Sequence, residues 1–109
     1  MLIHLVFSTK HREGVLTPIL QEKMHPYLAG VLDNLECPSL QVGGVSDHVH
    51  LFFGLSGTRA IADVVEAVKT SSSKWIKFHD TRLADFHWQA GYGAFLRKHQ
   101  VEYDEKYLW

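Results

Sequence analysis

The sequence predicts an α+β domain in the order β-α-β-β-α-β, one antiparallel sheet with two helices on one face. Three observations predict it. Four stretches rich in β-branched and aromatic residues are bounded by Gly, Pro and Ser clusters. Two longer stretches repeat their apolar residues at three- and four-residue spacing. The 109 residues suffice for one hydrophobic core and are too few for two.

Each element can be justified in turn. Leu2 to Thr9 (LIHLVFST) reads as the first strand, and KHREGVL follows as a charged loop. Thr17-Pro18 is an N-cap followed by a first-turn proline. The helix it opens carries Ile19, Leu20, Met24, Tyr27, Leu28, Val31 and Leu32 as its apolar positions and should end near Asn34. SLQVGGV is a second strand ending in a Gly-Gly turn or bulge, and Asp47 to Gly54 is the third. LSGTR is a turn, with Thr58 placed to cap the next helix. In that helix Ile61, Val64, Val65, Val68, Trp75 and Ile76 form the buried stripe, leaving Ser71, Ser72, Ser73, Lys74 and Lys77 largely on other faces. Phe86 to Phe95 reads as a fourth strand loosened by Gly91 and Gly93, and a charged tail closes the chain. This order is the split βαβ arrangement of ferredoxin-like domains. Because that fold hosts many functions, function must be argued from a site.

Composition narrows the classes. Hydrophobic residues make up 46% and charged residues 21% of the chain, as in a soluble globular protein and unlike a disordered one. The apolar runs are broken by His or Gly before reaching the ~20 residues a membrane span needs, so no membrane partner is expected. Met1 leads straight into a strand pattern, so no secretory leader is expected. The single cysteine, Cys37, cannot form an internal disulfide, which fits a cytoplasmic location. A net charge of −1 shows none of the basic excess that marks bulk nucleic-acid binding. Eight histidines are a rich supply of groups that bind metal or move protons near neutrality.

Two of them, His48 and His50, stand either side of Val49 in GGVSDHVHLFFGL. Side chains alternate across a strand, so residues i and i+2 share a face about 6.6–6.8 Å apart along it. His48 and His50 should therefore point the same way, with Val49 turned into the core, and can converge on one divalent ion. Asp47, on the opposite face by simple alternation, would need a local twist to help. Two ligands alone do not make a tight site, so a third protein ligand or a substrate phosphate must complete it.

HLVFSTKHRE, GGVSDHVHLFF, SSSKWIK, FHWQAGYGAF and VEYDEKYLW stand in the order found in the single-tyrosine transposases of the insertion-sequence 200/605 type. The chain resembles that family over nearly its whole length, and DHVHLFF is similar to its HUH motif, two histidines around a hydrophobic residue. The resemblance implies a DNA transposase acting on single-stranded DNA. In such an enzyme a tyrosine hydroxyl attacks a scissile phosphate, leaving a 5′-phosphotyrosine and a free 3′-hydroxyl. It implies His48 and His50 as ligands of a divalent metal ion, Mg or Mn, and no further cofactor. It also implies a homodimer and, as partner, a hairpin folded from single-stranded DNA.

The family carries its nucleophile on a helix after the strand that resembles GYGAF, with a glutamine one turn later completing the metal site. Here Phe95 is followed at once by residues resembling the family's extreme C-terminus. The single domain, residues 1–109, thus lacks the nucleophile-bearing helix between 95 and 96. A natural deletion, an engineered removal and a mobile stretch left out of the sequence all remain open, and the last predicts a wide gap between Phe95 and Leu96. Tyr103 and Tyr107 in the tail are weak candidates for the nucleophile, and Gln100 is a weak stand-in for the third ligand. Without the helix, the alternative to the enzyme is a non-catalytic hairpin-binding remnant. A third class, a small metal-binding protein with no DNA role, is left only if hairpin binding fails. For DNA contact the basic loop Lys10, His11 and Arg12 is the leading candidate. Lys69, Lys74 and Lys77 along the second helix and Arg97 and Lys98 at the tail are weaker ones. Trp88 and Tyr92 are expected to pack, base stacking being their alternative role.

Overall fold

In the computed structural model, which describes residues 1–97, the six elements follow one another as the apolar patterning dictates. They are β1 (Leu2–Ser8), α1 (Pro18–Asn34), β2 (Ser39–Val45), β3 (His48–Gly54), α2 (Ile61–His79) and β4 (Gly93–Arg97). The strands form one antiparallel sheet in the order β2-β3-β1-β4. That is the ferredoxin-like split βαβ topology.

Strand alternation decides which residues meet the helices. In β1 it sends Ile3, Leu5 and Phe7 to one face, directly opposite Phe53, Leu51 and Val49 of β3. Leu20, Met24, Leu28 and Leu32 of α1 and Val64, Val65, Val68 and Ile76 of α2 bury themselves in the same core. Burying each such side chain contributes about 1.5–3 kcal/mol before the entropy of ordering it is counted. The same pleat turns His4, Val6 and Ser8 of β1, and His48, His50 and Phe52 of β3, to the sheet's other face.

α1 begins as its sequence requires: Thr17 Oγ1 accepts the Leu20 N–H at 3.2 Å, with Pro18 in the first turn. It ends when Glu36 adopts a left-handed φ of 61° and the Cys37 N–H returns to the Leu32 carbonyl. Ile19 is off the buried stripe, 69% exposed.

Elsewhere the structure corrects the expectations. α2 starts at Ile61, and Thr58 does not cap it; the Thr58 N–H instead meets the Ser56 hydroxyl in the preceding turn. Ser72 is fully buried, because it lies four residues from both Val68 and Ile76 and so falls on their stripe. Its hydroxyl donates to the Val68 carbonyl at 2.6 Å and accepts from Trp88 Nε1 at 3.0 Å. The fourth strand is only Gly93–Arg97, so Arg97 belongs to the sheet rather than to the tail. Phe86 and Trp88 pack edge-to-face with each other, and Trp88 does the same against Phe7. Gly91 then turns the chain at φ 86°. The Lys69 ammonium fastens that turn by donating to the Gln89 and Gly91 carbonyls, at 2.8 and 2.7 Å. β4 pairs with β1 without interruption, Phe95 opposite His4 and Leu96 opposite Ile3. The wide gap expected between Phe95 and Leu96 does not occur, because GAFLR continues as one strand.

Candidate metal and nucleic-acid site

β3 turns both histidines of the pair to the face away from the helices, His48 opposite Ser8 and His50 opposite Val6. Their ring centroids are 4.8 Å apart with planes at 68°, while Val49 between them is fully buried in the core. The i, i+2 reading of this strand therefore holds.

Asp47 reaches the site by a route that alternation does not give. β3 starts at His48, and Asp47 occupies the turn joining it to β2. From there its Oδ1 lies 2.6 Å from His48 Nδ1 and its Oδ2 lies 3.4 Å from Arg12 Nε. The hydrogen bond from His48, with help from Arg12, holds the Asp47 carboxyl below the usual carboxylate range. The sequence reading does not single out His4. Its Nε2 lies 3.4 Å from His50 Nδ1, and both rings are buried, 4% and 7% exposed. Alternation places His4 on an even-numbered face, but only the β1–β3 pairing brings it to His50. Burial, followed by the nearby charges His48 and His4 would carry, lowers the His50 pKa to about 4.

A groove of about 420 Å³ opens beside the pair, bordered by Arg12, His48, His50, Gln89 and Tyr92. Its loop wall is strained. His11 and Arg12 hold left-handed φ values of 59° and 55°, each costing on the order of 1–3 kcal/mol in a non-glycine residue. The surroundings enforce them: the His11 N–H donates to Gln89 Oε1, the Arg12 N–H to the Thr9 carbonyl, and Thr9 itself is buried. Of the predicted loop triad only Arg12 lines the groove beside the histidines. Lys10 borders a separate cavity with Phe86 and His87, and His11 contributes its backbone N–H. Tyr92 does not pack as expected; it is 43% exposed on the groove. Trp88 does pack, with its N–H on Ser72. Lys69 is committed to the Gln89–Gly91 turn, where burial lowers its pKa. Tyr103, Tyr107, Gln100 and Lys98 lie outside the described residues.

Do these residues fit a metal ion? With metal–nitrogen bonds of about 2.1 Å, two imidazoles on one ion at about 90–110° have centroids roughly 4.5–5.3 Å apart. The 4.8 Å separation of His48 and His50 falls inside that range. Both Nδ1 atoms are engaged, by Asp47 and by His4, so an ion held by the pair would have to meet Nε2 on each ring. Among the described residues no third His, Cys, Asp or Glu joins them in a metal-holding group. The pair fits one edge of a coordination shell whose remaining positions must come from elsewhere.

A family model described as "Transposase IS200 like" matches residues 1–108. The chain belongs to the IS200-like transposase family. Membership makes it a protein of DNA transposition. No curated protein matches the chain. Among solved structures it is similar to a candidate transposase from Deinococcus radiodurans R1. The TM-score is 0.84 at 21% identity, over 90% of this chain and 79% of that one. It is also similar to a REP-associated tyrosine transposase bound to a REP hairpin, with a TM-score of 0.60 at 14% identity. That match covers 97% of this chain and 59% of the other. At these identities the two structures support the α+β fold of the IS200-like chain. No helix among its described residues is long and apolar enough to cross a membrane.

Proposed function

We propose that this IS200-like chain acts on hairpin ends of single-stranded DNA, seating a backbone phosphate in the groove between His48, His50 and Arg12. The single observation that carries the reading is the paired rings 4.8 Å apart beside a groove whose wall presents a guanidinium. Arg12 offers the fork of donors that suits a phosphate. Tyr92 offers an exposed ring on which a base can stack. The solved relative bound to a REP hairpin supports this choice of partner.

His48 and His50 would hold a divalent ion by Nε2, with Asp47 orienting the first ring. Two imidazoles with phosphate oxygens suit Mn better than Mg, which prefers an all-oxygen shell. When bound, such an ion supplies Lewis-acid polarisation of the phosphate. In the full reaction a tyrosine hydroxyl, from Tyr103 or Tyr107, loses its proton and attacks phosphorus. The 3′-oxygen leaves and takes up a proton, and the 5′-phosphate remains on the tyrosine. The exposed edge positions Leu40 and Val45 on β2 support a homodimer formed through the sheet, because an open edge invites pairing.

A second reading is favoured by one observation: β4 runs on through Phe95 and Leu96, with no helix between them. In that reading the chain, a single domain over residues 1–109, is a hairpin-binding module without the nucleophile-bearing helix. A nicking assay with Mn²⁺ on single-stranded hairpin DNA separates the two. A covalent protein–DNA adduct lost in Tyr103→Phe or Tyr107→Phe supports the transposase. A mobility shift without cleavage supports the binding module, and no shift with any hairpin overturns both.

A further inference from the structure

A buried imidazole is costly unless it is hydrogen-bonded, and His4 is buried on the face of the sheet that the helices do not cover. Its surroundings are specific. Phe52 lies directly across from it on β3, with ring planes at 87° and centroids 6.3 Å apart. His50 is its diagonal neighbour, centroids 5.6 Å apart, with His4 Nε2 3.4 Å from His50 Nδ1. Phe52 thus stands edge-on to the His4 ring, beside the nitrogen that faces His50.

The chemistry of that contact is directional. A neutral imidazole carries one proton, and the nitrogen that binds a metal must be the one without it. If Nε2 of His50 faces an ion, its Nδ1 carries the proton and donates to Nε2 of His4. His4 must then carry its own proton on Nδ1. The same requirement at His48 is met by Asp47, which accepts from Nδ1 at 2.6 Å. Each histidine of the pair thus has its own orienting acceptor, a carboxylate from the β2–β3 turn for one and an imidazole from β1 for the other.

We infer that His4 is a positioning residue, holding His50 in the Nδ1–H tautomer so that its buried Nε2 is the nitrogen that would meet an ion. The inference rests on the metal reading proposed above. Groups that orient a metal-binding histidine typically contribute about 10–100-fold in metal affinity. His4→Phe fills the space and removes the acceptor, whereas His4→Gln retains an acceptor of similar reach.

The test uses the whole chain with ¹⁵N-labelled histidine, and circular dichroism shows whether each variant is folded. In metal-free wild-type protein, long-range ¹H–¹⁵N spectra should show His50 protonated at Nδ1. In His4→Phe the His50 proton should move toward Nε2, and in His4→Gln it should stay. A Mn²⁺ titration read by electron paramagnetic resonance should then show about 10–100-fold weaker binding in His4→Phe and near wild-type binding in His4→Gln. A His50 tautomer and Mn²⁺ affinity that are both unchanged in folded His4→Phe overturn the inference. Wild-type protein that holds the Nδ1–H tautomer yet binds no Mn²⁺ overturns the metal reading alone. If His4→Phe does not fold, loss of the tautomer in folded His4→Ala supports the inference and its retention overturns it.

Discussion

His48 Nδ1 lies 2.6 Å from Asp47 Oδ1, a charge-assisted hydrogen bond between neighbours in sequence that alternation alone would place on opposite faces. The turn before β3 allows it, because Asp47 is not yet in the strand. A carboxylate on Nδ1 would make Nε2 the coordinating nitrogen of a bound ion and raise its basicity. Asp47→Asn keeps an acceptor but loses the charge. Its Mn²⁺ affinity, measured by calorimetry, should fall by about tenfold. An unchanged dissociation constant would show that the carboxylate does not act on the ring.

Gly44 should tolerate no side chain. It sits opposite Val49, and a Cβ there would lie 2.4 Å from the His48 carbonyl oxygen and 2.9 Å from Val49 Cα. Both obstacles are backbone, so neither can swing aside. Gly44→Ala should cost about 2 kcal/mol in urea denaturation, within the usual range for overpacking. It should also disturb the His48–His50 spacing. Stability within a few tenths of wild type would mean that β2 moves away more easily than the sheet suggests.

Residues reporting their environment through periodicity were legible in the sequence. Thr17-Pro18, the α1 stripe and the shared face of His48 and His50 all follow from local rules of 3.6- and 2-residue repeats. Features that depend on which segments meet were not. His4 becomes part of the site only because β1 pairs with β3; Arg12 was legible as part of a basic loop, but its contact with Asp47 comes only from the loop's strained turn. Ser72 reads as a surface residue by polarity, yet its place on the helix stripe buries it. The fourth strand is shorter than its composition suggests, for a different reason. Phe86 to Tyr92 is aromatic enough to resemble a strand, but the Phe86 and Trp88 rings pack into the core edge and Gly91 redirects the chain.

Ser72 is the next test. Its hydroxyl serves both the Val68 carbonyl and Trp88 Nε1. Ser72→Ala leaves the indole N–H without that acceptor, at a cost of about 1–3 kcal/mol. In a Trp88→Phe background most of this penalty should vanish, since no donor remains to be satisfied. Thermal melts of the four proteins give the coupling directly. Additive losses would show that the hydroxyl and indole act independently.

Acid should weaken the fold through its buried histidines. His50 titrates at about 4 when folded against 6.5 as the ordinary value, and burial also lowers His25. Between pH 6.5 and 4 the unfolded chain therefore binds more protons than the folded one. Stability falls as pH drops through that window and is insensitive to these groups above it. For His50 the full effect has an upper bound of about 3 kcal/mol. His50→Gln should flatten the pH dependence of chemical denaturation between these limits. Equal slopes in wild type and variant would rule out a depressed His50 pKa.

Arg12 should separate stability from function. Its left-handed φ of 55° is strained for any residue with a Cβ, and glycine would adopt it freely. What Arg12 gains in return is small, because its contact with Asp47 is an exposed one in which the arginine side chain is 64% accessible. Such pairs contribute only about 0–1 kcal/mol. Arg12→Gly should therefore leave stability unchanged or raise it by about 0.5–1 kcal/mol, although glycine's freer unfolded chain offsets part of the gain. Hairpin binding should move the other way. Loss of one phosphate contact should weaken affinity and lower the slope of log K against log[salt] by about 0.7 for single-stranded DNA. Lys10→Ala, beside a different cavity, should change that slope less. If Arg12→Gly lowers stability and leaves the salt slope intact, the loop's strain serves the fold and the phosphate is held by other groups.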